Sequence, residues 1–137
     1  MESWNKEKVE QAKANLEGAE LKGLDLSGAN LKNANLISAN LVSVNLSGAD
    51  LSGAEMFGAK AMRADLRNAN LSGASLLKAN FSRANFQESN LNDTDFMGAD
   101  LSYAELMKAN LIRAKLVEAN LLGANLTGAD LTEAKLS

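Results

Sequence analysis

The 137-residue chain contains no cysteine and no histidine, and aromatic residues make up only 4% of it. Without cysteine there are no disulfides, and the redox compartment is unreadable. Without histidine, serine- and cysteine-type triads and the usual zinc sites lack their central residue. There is no Gly-rich phosphate loop, and no Gly-Gly-x-Gly-x-Asp nonapeptide of the kind that wraps calcium in other β-solenoids. Apolar stretches are only a few residues long, which excludes a helical membrane span. The charged N-terminus lacks the apolar core of a signal peptide, so the cytoplasm is the expected location. Taken together, these absences argue against an enzyme, and no cofactor or metal is expected.

What the chain does have is a repeat. Every fifth position from Leu16 to Leu136 is leucine in 20 of 25 cases, the exceptions being Met56, Ala61, Phe81, Phe86 and Phe96. Two residues earlier stands alanine in 21 of 25 cases, broken by Leu24, Val44, Ser89 and Thr94. The residue between is mostly Asn or Asp, as in Ala29-Asn30-Leu31. Fifth positions on an α-helix fall about 140° apart, so no apolar stripe forms. A flat strand alternates faces with period two and throws every second leucine outward. A coil that turns a corner once per pentapeptide keeps alanine and leucine inside.

The position after each central residue gives the number of sides. Ile37, Phe57, Leu77, Met97 and Val117 are all apolar and lie twenty residues apart, whereas Ser27, Ser47, Arg67 and Gln87 form a polar series. Twenty residues is four pentapeptides, which makes the coil square. Leu24 and Val44 are also twenty apart, and Phe81 lies one coil beyond Ala61, where it fills the space that Ala61 leaves. About six coils at the ~4.8 Å spacing of adjacent strands give a rod roughly 30 Å long.

From Ala14 to Ser137 the pattern resembles the pentapeptide-repeat family, whose repeat reads roughly A(N/D)LXX. That resemblance implies an all-β solenoid, a right-handed quadrilateral β-helix, in a bacterial and particularly a cyanobacterial cytoplasmic protein. It implies no substrate. The expected organisation is an N-terminal helical cap over residues 1–13 and a β-helix over residues 14–137. Ser3 is the expected N-cap of a helix running to about Ala12, with Trp4 plugging the first coil and Val9 and Ala12 on the same side. A disordered tail is the alternative. At the other end Leu121, Leu126, Leu131 and Leu136 lie in a coil with no lid. Two molecules abut there, or the end frays, or the native chain continues past Ser137.

Three surface features are candidates for function. Asp25, Asp65 and Glu105 share a column but lie two coils apart, roughly 10 Å, which suits diluted repulsion better than an acid–base pair. Lys60, Arg63, Arg83 and Tyr103 form a basic and aromatic column, read either as an anion or acidic-partner patch or as an ordinary cation–π contact of Arg83 on Tyr103. The third is the apolar series Ile37, Phe57, Leu77, Met97 and Val117, with Val42, Met62 and Leu122 in the matching column of the next face. A contiguous apolar patch marks an interface. The expected function is therefore a non-enzymatic rod presenting this ridge to a protein partner of unknown identity or to its own copy. A homodimer would form through the ridge or through the uncapped C-terminal coil. No nucleic-acid or membrane partner is expected.

The alternative implied by the resemblance is a DNA-mimicking inhibitor or protector of a type II topoisomerase. Charge argues against it. A 30 Å length of duplex DNA carries roughly 18 negative charges, whereas the chain has a net charge of −3. The face bearing Lys22, Lys60, Arg63 and Arg83 is net positive.

Overall fold

The computed structural model describes residues 3–137. From Glu20 onward the chain forms a continuous series of parallel bridges between residues twenty apart, from Glu20 with Asn40 to Lys115 with Lys135. One turn of the coil is therefore four pentapeptides and the tube has four walls. The first wall carries the central residues Leu16, Leu36, Met56, Leu76, Phe96, Leu116 and Leu136; the second, third and fourth follow at steps of five.

Each corner is built the same way. The N–H two residues before a central residue donates back to the preceding central carbonyl, as from Ala19 to Leu16 at 3.0 Å and from Ala104 to Leu101 at 3.0 Å. This closes a four-residue turn. Its second corner residue has φ between +57° and +74° in all cases, the region a type II turn requires there. All ten glycines occupy this position, together with fourteen other residues that tolerate it less readily. Apart from the N–H of the first corner residue, the remaining backbone groups bond mainly between coils, as from Leu41 N to Lys60 O at 2.6 Å and from Asn45 N to Leu24 O at 2.9 Å.

The interior is a single column of stacked apolar layers. Central residues from Leu16 to Leu111 have no exposed surface, and the alanines paired with them are almost as deeply buried from Ala29 to Ala114. Phe81, Phe86 and Phe96 occupy three walls of one coil, with ring centroids 5.3 Å apart for the first pair and 6.1 Å for the second. The two hydroxyls that replace alanine are satisfied: Ser89 donates to Phe86 O at 2.7 Å and Thr94 to Leu71 O at 3.0 Å.

Helix α1, Lys6–Gln11, covers the N-terminal mouth, followed by a 3-10 turn at Lys13–Asn15. The N-cap is Asn5 and not Ser3: its extended backbone brings the carboxamide to Lys8 N at 2.9 Å, two residues later than expected. Trp4 thus precedes the helix and is half-buried beside the core, while Val9, on the inward face, is the fully buried plug. Ala12 also packs against the core. Polar groups fasten the cap as well. Glu10 Oε2 accepts from Asn30 N at 2.7 Å, and Lys6 Nζ donates to Ser27 O at 3.2 Å. Met1 and Glu2, the start of the expected cap, lie outside the described residues. No helix among the described residues is long and apolar enough to cross a membrane.

At the opposite mouth Leu121, Leu126 and Leu131 are half-buried and Leu136 is 57% exposed. The N–H groups of Leu121, Leu126 and Leu131 find no ladder acceptor among the described residues.

Candidate functional site

The residue just before each central one lies on the flat of its wall, and its side chain points outward. Where it is Asn or Asp, from Asp25 to Asp130, its Oδ1 accepts from the N–H of the first corner residue two positions on. Examples are Asn35 to Ile37 at 3.1 Å, Asn70 to Ser72 at 3.0 Å and Asp100 to Ser102 at 2.9 Å. The side chain thus caps an N–H that the ladder does not reach. Bonding between wall residues of successive coils is exemplified by Asn40 Nδ2 to Glu20 Oε2 at 2.8 Å, but local capping is the general rule.

Seven wall positions depart from Asn or Asp: Glu20, Glu55, Lys60, Ser75, Glu105, Lys115 and Lys135. Four of them, Glu55, Ser75, Lys115 and Lys135, are on the first wall. The N–H groups of Phe57, Leu77 and Val117 consequently have no acceptor among the described residues. Those same three residues belong to the apolar series, so the wall that gives up the most local hydrogen bonds is the wall whose corner is apolar. Elsewhere only Lys22, Met62 and Met107 lose theirs among the described residues.

The structure stacks this series in one column along the edge where the first wall turns into the second. Ser38 N donates to Phe57 O at 2.9 Å, Gly58 N to Leu77 O at 3.1 Å, Lys78 N to Met97 O at 3.0 Å and Gly98 N to Val117 O at 3.1 Å. Phe57 and Met97 are 43% and 39% exposed. Ile37, Leu77 and Val117 are half-buried. The apolar ridge is thus part exposed and part half-buried along its length. In the next column Val42 and Met62 are half-buried, and Ser82 and Ser102 separate them from Leu122, which is 64% exposed on the last coil.

The basic column is also assembled. Arg83 lies over the Tyr103 ring at 4.8 Å. That ring in turn lies on the Gly123 corner, where a Cβ would approach within 2.5 Å of it. Arg63 occupies the corner one coil before Arg83, and Lys60 stands on the adjoining flat of the same wall, bridged to Asn40 and Asn80. Arg67 and Arg113, by contrast, are held by carboxylates, Asp65 at 2.7 Å and Asp93 at 2.8 Å.

Asp25, Asp65 and Glu105 alternate with Asn45 and Asn85 in one ladder. Asp25 is drawn below the usual carboxylate range by the hydroxyl and N–H of Ser27, and Asp65 by hydrogen bonds from Arg67. Neither is poised as a general acid. Among the described residues no group of three or more Asp or Glu is placed to hold a metal ion. Shallow hollows lie beside the cap, one of about 370 Å³ lined by Lys13, Ala14, Asn30, Lys32 and Asn33.

The pentapeptide-repeat family profile matches residues 14–53, 64–102 and 104–137 with eight copies. Among solved structures, the pentapeptide-repeat protein Rfr23 from the cyanobacterium Cyanothece 51142 aligns with a TM-score of 0.70 at 24% identity, covering 94% of this chain and 97% of that one. A trypsin-treated form of QnrB1, a plasmid-mediated fluoroquinolone resistance protein, aligns with a TM-score of 0.50 at 23% identity, covering 89% and 67%. HetL, involved in heterocyst differentiation regulation in Nostoc sp. strain PCC 7120, is 32% identical over 88% of this chain and 69% of its own, with a TM-score of 0.45. No curated protein sequence matches significantly. The twenty-residue bridges, the profile match and the likeness to Rfr23 agree on a right-handed quadrilateral β-helix, and the chain belongs to the pentapeptide-repeat family.

Proposed function

We propose that the protein is a non-enzymatic rod that binds a protein partner through its first wall and the apolar edge formed by Ile37, Phe57, Leu77, Met97 and Val117. The observation that carries this reading is a coincidence of two departures from the repeat. Corner positions elsewhere are mostly polar, and wall positions elsewhere cap the turn except at Glu20, Lys60 and Glu105. On the first wall the corner is apolar through five coils, and three of the N–H groups in it are left uncapped. Ladder stability alone does not explain the continuous apolar corner, since mostly polar corners build the third and fourth walls equally well. A contiguous apolar strip flanked by polar groups is the usual composition of a binding surface.

The DNA-mimic alternative gains little from the site. Asp65 and Asp93 are neutralised by arginines, and the second wall carries Lys22, Lys60, Arg63 and Arg83 against Glu20 and Asp100.

A photo-crosslinking residue placed at Phe57 or Met97 tests the proposal in cells that make the protein. The same probe at Arg67 or Gln87, on the diagonally opposite edge, is the control. Protein adducts from the first pair and none from the second are expected. Equal yields from both edges, or none from either, would contradict it.

A further inference from the structure

Resting on that reading of the first wall, we infer that its occupant is a second copy of this chain, packed antiparallel, first wall on first wall. The two-fold axis crosses the wall between the coils of Leu77 and Met97. The argument starts from the order of charge along the flat of the wall, which runs Asn35, Glu55, Ser75, Asp95, Lys115, Lys135. The acidic residues lie in one half and the basic residues in the other. Glu55 and Lys115 are both exposed, and neither side chain has an ion-pair or hydrogen-bond partner among the described residues.

A two-fold axis lying in the wall and perpendicular to the tube superimposes each column on itself with its order reversed. With the axis between the two central coils, Glu55 faces the partner's Lys115 and Lys115 faces the partner's Glu55. Along the edge, Phe57 meets the partner's Val117 and Leu77 meets the partner's Met97, each contact occurring twice. Asp95 faces the partner's Ser75, so no like charges are opposed. Moving the axis half a coil, onto Leu77, sets Glu55 against the partner's Asp95 and removes the complementarity. Charge and overlap together select the register, since an axis one coil further on would set Asp95 against the partner's Lys115 but leave Glu55 and Phe57 without a counterpart. The apolar edge supplies the desolvated contact. The apolar edge is about 20 Å long and the wall about 10 Å wide from strand spacing and rise. This places the pairing at the small, readily reversible end of protein interfaces.

Sedimentation equilibrium from about 1 µM to about 1 mM reads the association directly. A monomer–dimer equilibrium is expected for the wild type. Glu55→Lys and Lys115→Glu should each weaken it about tenfold or more. An equimolar mixture of these two single variants should restore it, because both opposite-charge contacts re-form in the heterodimer. The doubly reversed chain should restore it likewise. Far-UV circular dichroism and thermal unfolding establish that each variant keeps its fold. A wild type that stays monomeric throughout overturns self-pairing and leaves the partner-binding reading to the crosslinking experiment. A dimer indifferent to charge reversal, or not restored by mixing, overturns the antiparallel register.

Discussion

Asparagine and aspartate recur one position before the central residue because a short side chain there reaches the one N–H of each corner that the ladder leaves free. At Asn70 the bond is 3.0 Å long. Asn70→Ala removes the acceptor and should cost about 1 kcal/mol, whereas Asn70→Asp keeps the acceptor and should cost little; urea unfolding of the two variants separates them. Where the residue is Asp, the same bonds depress its pKa: Asp50 is lowered chiefly by the Ser52 hydroxyl and N–H and Asp130 by Thr132, while the corner residue Asp93 is lowered by the Arg113 guanidinium one coil on. A carboxylate whose folded pKa lies below its unfolded one contributes stability that is present above the unfolded value and lost as pH falls through the folded one. Thermal stability should therefore be level near neutrality and decline below about pH 4. Asp50→Asn retains an Oδ1 acceptor and should make that acid decline shallower with little change at pH 7.

Coils are the elements of this molecule, and each touches only its neighbours, so damage should stay local. Phe86 stacks between Phe81 and Phe96 in one buried layer. Phe86→Ala should cost about 3–5 kcal/mol, and amide exchange should rise most in the coils that contain and flank it. The period of five and its grouping into twenties were legible because inward positions admit only apolar side chains and every corner repeats. The cap was legible in kind but not in detail. Ser3 and Asn5 are both competent N-caps, and the choice between them depends on where Val9 must sit to close the first coil, which is a tertiary constraint. The apolar edge was likewise evident as a column. Its partial embedding was not, because the exposure of each outward side chain depends on its packing in the folded coil and not on the repeat pattern.

At the scale of the whole molecule, four walls repeat one backbone, and the outward residues distinguish their surfaces. The first wall combines an apolar corner with unpaired Glu55 and Lys115; the second carries the Arg63, Arg83 and Tyr103 column. Both descriptions require that residues twenty apart share a wall. Since the chain has no cysteine, engineered thiol pairs report this without background. Neighbours in adjacent ladder positions are about 5 Å apart, within reach of a disulfide. Chains carrying Phe57→Cys with Leu77→Cys should therefore crosslink intramolecularly on mild oxidation, and chains carrying Phe57→Cys with Arg67→Cys should not, although the second pair is closer in sequence. The reverse outcome, with the pair ten apart closing and the pair twenty apart remaining free, would contradict the four-walled coil and everything built on its columns.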